Sequence, residues 1–210
     1  MKNDYRNTIY CTVLENVDEK KKALKEKIQE EHPRVKIIYN QVKDRKGDYK
    51  SPFMEIYNYK CGYCGNSILN IGANLLEVDH YICESSFASK EEAGKIENLV
   101  LACYDCNRSK LDLTMADEYI DMLNPDCDKI RNVFNRDDLY YIKISEEFEE
   151  DAFVKRFHEQ LKLGYQTKRL DFLLMSIRGL CNELEGNPKL GELNSILIKL
   201  QEKRNITICK

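Results

Sequence analysis

Apolar residues return every three or four positions through the last third of the chain, which predicts helices over residues 146–163, 166–184 and 190–204. The first opens on acids suited to a helix N-terminus and sets Phe153, Val154, Phe157 and Leu161 on one face. The second carries Leu170, Leu173, Leu174, Ile177, Leu180 and Leu184, and the third Leu193, Ile196, Leu197 and Leu200. Gly164 and the Gly186-Asn187-Pro188 turn separate them. The three stripes either close on one another as core or offer a surface to a partner.

Upstream the pattern changes period. Residues 8–14 (TIYCTVL) are β-branched and aromatic enough for a strand, with a helix start as the other reading. A helix follows over 18–31, with Asp18 as N-cap, Ala23, Leu24 and Ile28 as its apolar stripe and Pro33 beyond its end. Its Lys20, Lys21 and Lys22 read as a solvated face or, alternatively, as a nucleic-acid contact that nearby glutamates weaken. Residues 35–39 (VKIIY) predict a short strand, and 43–50 (KDRKGDYK) a basic loop turning at Gly47. That loop is either an ordinary exposed one or a phosphate contact through Lys43, Arg45 and Lys46. Ser51-Pro52 starts a helix reaching residue 59, with strands over 75–82 and 98–102 and a charged loop with a helical turn over 85–97. A helical stretch holds 107–110, Thr114 and Asp117 form a capping box opening a helix to 123, and Asn124-Pro125 ends it. Val133-Phe134, an NRDD turn and 139–144 form a hairpin.

With 42% apolar residues in 210, the chain can bury a core without needing a metal to fold. No stretch approaches the roughly 20 apolar residues of a membrane span, and the start, MKNDYRN, lacks a signal peptide's apolar run, so a cytoplasmic location is expected. Reducing cytosol favours metal binding over disulfides for the nine cysteines. Cys11, Cys83, Cys127, Cys181 and Cys209 are isolated and read as small, semi-buried hydrophobes. His32, beside Pro33, and His158, inside an amphipathic pattern, read as structural. A net charge of -3 argues against non-specific coating of a polyanion; binding would depend on local basic patches.

Four cysteines stand in two x2 pairs, Cys61/Cys64 and Cys103/Cys106. Two tight turns of this kind bring four thiolates to a tetrahedral zinc site, closed to a reacting water and therefore structural. A thiol-disulfide redox pair would need a thioredoxin-like βαβ context, which the pattern lacks.

The order CGYCG, VDH, ENLVLAC, CNRSK resembles the HNH endonuclease superfamily over about residues 51–123. The resemblance implies an α+β fold with a ββα-metal, treble-clef-like core and a four-cysteine knuckle. It implies that His80 is the general base and that Asn98 fixes the loop between the strands. Asp79 and Asn107 would hold the catalytic cation, Asn107 standing where many relatives have the last histidine of the name. An oxygen-only pair suits Mg2+ or Mn2+ better than zinc. Arg108 or Lys110 would contact a phosphate. Cys83 stands where relatives often carry proline.

Three stretches are expected: an N-terminal extension (1–50), the HNH core (51–125) and a hairpin and helical region (126–210). The resemblance implies a metal-dependent endonuclease, DNA being favoured over RNA. By analogy it implies a bacterial restriction or anti-phage effector, with an ATPase partner or a homodimer. The alternative is a zinc-binding nucleic-acid or protein interaction module, which would have no need of Asp79, His80 and Asn107 together.

Overall fold

The computed structural model describes residues 4–208, so Cys209 lies outside the described residues. The chain runs α1 (Val17–Glu31), α2 (Ile38–Val42), α3 (Lys50–Ile56), β1 (Leu76–His80), α4 (Lys90–Ala93), β2 (Leu99–Cys103) and α5 (Tyr104–Lys110). It continues through α6 (Asp117–Ile120), α7 (Ile130–Val133), β3 (Phe134–Arg136), β4 (Ile142–Ile144), α8 (Ala152–Gln160), α9 (Gln166–Glu183) and α10 (Leu190–Ile208). The result is an α+β arrangement of helices around two small antiparallel sheets. One apolar cluster extends from Tyr5 to Leu163 and includes the four paired cysteines.

β1 and β2 pair antiparallel, Leu76 opposite Cys103 and His80 opposite Leu99. All five residues of β2 are buried. A two-stranded sheet inside a protein has two edges whose main-chain groups need partners. Buried side chains supply several of them. On the β2 edge the Leu99 carbonyl accepts from Lys21 Nζ and, at 3.2 Å, from the Tyr57 hydroxyl, while Gly62 N donates to Leu101 O at 2.7 Å. On the β1 edge Lys50 Nζ donates to Leu76 O at 2.9 Å and Lys110 Nζ to His80 O at 2.8 Å.

This edge chemistry corrects the reading of α1. Lys21 is neither a solvated charge nor a nucleic-acid contact: it is buried on the face with Val17, Leu24 and Ile28, and its ammonium pairs with the buried carboxylate of Asp126. Ala23 is exposed instead. The helix starts one residue before Asp18, behind Asn16 in a left-handed conformation, without a side-chain cap.

Other boundaries also move. Residues 8–14 form turns and irregular chain rather than a strand, and 35–39 lead into α2 rather than forming one; β propensity there finds no partner strand to pair with. α3 starts at Lys50 behind Tyr49, so Ser51 lies within the helix, and α6 starts behind Ala116 with no capping bond from Thr114. α8 begins later than the acidic run, where the Asp151 carboxylate accepts from the main-chain N–H groups of Phe153 and Val154. The strand over 75–82 contracts to β1, the second shifts by one residue to β2, and the hairpin forms as β3 and β4.

α9 and α10 pack against each other, joined by a turn in which Gly186 has φ 82°. Leu170 and Leu174 are buried, whereas Leu173, Ile177, Leu180, Leu193, Leu197 and Leu200 are half-buried and Ile196 is 45% exposed. Asp171 of α9 and Arg204 of α10 form an ion pair at 2.7 Å.

Lys21→Ala would leave Asp126 as an unpaired buried charge and should cost about 3–5 kcal/mol, against about 0.5 kcal/mol or less for Lys20→Ala or Lys22→Ala. Chemical denaturation of the three variants checks this. Equal losses would contradict the buried role of Lys21.

Candidate metal and active centre

The first knuckle is a tight turn between α3 and β1. Gly65 N donates to Cys61 O at 2.9 Å and Cys61 N to Asn66 O at 2.8 Å, which turns both sulfurs inward. Gly65 has φ 77°, and a Cβ there would lie 2.1 Å from Arg6 O, so glycine is required twice over. The N-terminal segment holds this turn from outside: the Tyr5 hydroxyl donates to Tyr63 O at 2.7 Å and Arg6 Nη1 to Gly62 O at 2.9 Å. The second pair sits at the junction of β2 and α5, with Cys103 ending the strand and Cys106 in the helix's first turn.

The four sulfurs are buried and all lie within 4.8 Å of one another. Cys64 and Cys103 sulfurs are 3.7 Å apart. A tetrahedron with Zn–S bonds of about 2.3 Å has S···S edges of about 3.8 Å, so the donor set fits a zinc knuckle. Such a centre carries two net negative charges. Lys168, reaching in from α9 and only 2% exposed, places Nζ 3.7 Å from Cys103 Sγ and 3.8 Å from Asp105 Oδ2. Sequence reasoning missed this lysine, because in an amphipathic helix nothing distinguishes a buried cation from a surface one.

β1 alternates sides. Glu77 and Asp79 face α5, while Leu76, Val78 and His80 face away from it. On α5, Asn107 and Lys110 are three residues apart and therefore share a face. The two elements meet in register. Asn107 Nδ2 donates to Glu77 Oε2 at 2.7 Å, Arg108 Nη2 lies 3.3 Å from Glu77 Oε1, and Lys110 Nζ lies 3.3 Å from Asp79 Oδ2. The Tyr63 hydroxyl donates to the same Asp79 oxygen at 2.7 Å.

Asp79 is 7% exposed. Burial pushes its carboxyl up to about 6, outweighing the opposing pull of Lys110 and the Tyr63 hydrogen bond. No described residue donates to its Oδ1, and Asn107 spends its amide nitrogen on Glu77. Each thus has one oxygen left for a hard cation, which the donor chemistry fits. Glu77 was not foreseen; its signal was the strand period, two positions before Asp79.

His80 is half-buried and packs on Tyr39, ring centroids 4.2 Å apart. Burial holds its imidazole below the usual histidine range, which favours the neutral form. Asn98 bridges the loop after β1: its Oδ1 accepts from Ile82 N at 2.8 Å, and its Nδ2 donates to Ile82 O at 3.0 Å and Ala93 O at 2.9 Å. Lys110 is buried and already bonded to Asp79 and the His80 carbonyl, so its ammonium does not project to solvent as a phosphate contact would require.

Lys43 and Arg45 line an open groove with Glu77, Asn107 and Arg108; Lys46 is exposed and is not part of that lining. His158 bonds the Ile142 carbonyl and His32 packs on Tyr49, both remote from Asp79 in their contacts.

A two-stranded sheet followed by a helix, joined by a four-cysteine cluster, is consistent with an HNH-type α+β core. The HNH endonuclease family model matches residues 61–112, which span both cysteine pairs, β1, β2 and α5. No curated protein and no solved structure matches the chain. No helix among the described residues is long and apolar enough to cross a membrane.

Two outcomes follow for the cage. Lys168→Met should lose bound zinc to a chelator about tenfold faster or more, as removal of an outer partner of a metal site does; a rate equal to wild type would show that the contact is idle. Gly65→Ala should destabilise the fold by more than the ~1–2 kcal/mol of a left-handed alanine, since the Arg6 carbonyl must also move. Thermal unfolding at matched zinc content measures it.

Proposed function

We propose that the protein is a metal-dependent HNH endonuclease that hydrolyses phosphodiester bonds of DNA. The observation that carries this reading is His80, a half-buried imidazole biased to neutrality on a strand whose neighbours Asp79, Asn98 and Lys110 are all held by named bonds. An interaction module would gain nothing from burying Asp79 and Lys110 beside it.

Asp79 and Asn107 would hold Mg2+ or Mn2+ through their remaining oxygens. When bound, that ion neutralises charge on the phosphoryl oxygens and on the leaving 3′ oxygen. An imidazole nitrogen of His80 takes one proton from a water as its oxygen forms a bond to phosphorus, and the P–O3′ bond breaks. The products are a 5′-phosphate and, after protonation from solvent, a 3′-hydroxyl. Tyr39 and the Lys110 bond to the His80 carbonyl keep the imidazole in place, and Asn98 keeps the following loop from drawing β1 away. Lys110 thereby acts as a positioning residue. Arg108, Lys43 and Arg45 would meet backbone phosphates, with Lys46 at the margin.

With a net charge of -3 the chain has little global attraction for DNA, which suits delivery of substrate by a protein partner such as an ATPase in a cytoplasmic restriction or anti-phage system. One such site cuts one strand, so a double-strand break would take a homodimer or two successive nicks.

Purified protein with Mg2+ or Mn2+ should convert supercoiled plasmid to nicked forms, and His80→Ala should slow this about 10²–10⁴-fold with zinc content unchanged. Equal cutting by the variant would remove the catalytic assignment. Preference for an RNA of the same sequence would replace DNA as substrate.

A further inference from the structure

The open edge of β1 carries a feature that the catalytic residues do not use. Lys50 is 7% exposed, yet its ammonium has one acceptor, the Leu76 carbonyl, and among the described residues it forms no ion pair. Lys43 and Arg45 also lack a carboxylate partner among the described residues, and both line the same groove as Lys50 and Arg108. Glu77, the acid in its lining, has Asn107 and Arg108 on its two oxygens and attracts the Lys50 ammonium through space without reaching ion-pair distance, while Arg45 repels it.

The groove floor adds a main-chain donor. Val78 lies opposite Leu101, whose carbonyl accepts from Gly62 and so points away from β1. In an antiparallel ladder such a pair directs both residues' main-chain groups outward, so the Val78 N–H and C=O face the groove between the Leu76 and His80 carbonyls that Lys50 and Lys110 cap. Three cations without carboxylate partners, one of them buried, thus converge with an outward N–H on one concave surface. A buried ammonium with a single carbonyl acceptor is costly unless an anion arrives to share it.

We propose that this groove is a phosphate subsite, anchored by Lys50, that holds a backbone phosphodiester of the strand being cut, next to the Asp79–His80 centre. It deepens the nuclease reading and rests on it for the identity of the ligand. Lys50 contributes the fixed donor, Lys43 and Arg45 close over the phosphate from the loop side, and Glu77 holds Arg108 on the opposite wall. The subsite reads charge and backbone geometry and carries no base specificity.

The test is binding without cleavage. Fluorescence anisotropy with labelled single-stranded DNA, duplex DNA and RNA of one sequence, in buffer without added divalent cation, is run over a salt series for wild type, Lys50→Met and Arg45→Gln. Loss of one phosphate contact should weaken binding about tenfold and reduce the salt slope by about 0.7–0.9, to the same degree for a second, unrelated sequence. The free Lys50→Met protein should melt at or above the wild-type temperature, because an unpaired buried charge is gone, and the oligonucleotide should no longer raise that temperature as it does for wild type. Unchanged affinity and slope in Lys50→Met, together with a lowered melting temperature, would make Lys50 a mere cap on Leu76 and overturn the proposal. If Lys50→Met does not fold, an unchanged slope in Arg45→Gln overturns it instead. A protein that binds through Lys50 but never cuts would keep the groove and lose the nuclease reading, whereas a His80-dependent nuclease indifferent to Lys50 would do the reverse.

Discussion

Four sulfurs confined within 4.8 Å of one another fix the relation between the turn after α3 and the junction of β2 and α5. A tetrahedral thiolate centre tolerates little variation in those separations, so once the sulfurs converge, the chain between them must leave and return at set points. β1 and β2 fill that interval. Their register brings Asp79 and His80 beside the helix that Cys106 has already anchored. Elements far away in sequence then close on the same centre: Arg6 over the first turn and Lys168 against the second pair. In the described structure the N-terminal segment and α9 thus both touch the knuckle and contribute to its surroundings.

The second constraint is the small size of the sheet. Two strands bury main-chain groups on both outer edges, and among the described residues no third strand pairs with them. Lysine resolves this where a shorter polar side chain could not reach: Lys21, Lys50 and Lys110 each carry an ammonium through apolar surroundings to a strand carbonyl. For Lys21 and Lys110 a carboxylate balances the buried charge, Asp126 and Asp79 respectively. Among the described residues Lys50 has no carboxylate at ion-pair distance, only the more distant attraction of Glu77, and it lines the groove beside the candidate active centre.

The strand and helix periods meet at the same centre. Positions two apart on β1 and three apart on α5 point toward each other, which yields the paired contacts Glu77–Asn107 and Asp79–Lys110. His80, one position on, faces the other side and packs on Tyr39. The two carboxylates and the imidazole are thereby divided between two faces of one strand, with the Asn107 amide meeting the carboxylate face from α5.

The cysteine spacing, the Asp79-His80 pair and the segment from Asn98 to Lys110 were legible in the sequence because their chemistry is local: x2 turns, a short strand and one helical turn set them within a few residues. The later helices were legible because their apolar period is long enough to average over irregularities. Residues 8–14 and 35–39 misled because β propensity describes a side chain's fit to a sheet that, at those positions, is absent. Tertiary structure alone decided which lysines are buried, since Lys21 differs from Lys20 and Lys22 only in facing β2, and Lys168 differs from a surface lysine only in meeting Cys103. It also decided that Asn107 meets Glu77, a contact between two elements thirty residues apart in the chain. Charge and polarity are written into the sequence; whether a charge is solvated, paired or left waiting for a ligand depends on what the fold places opposite it.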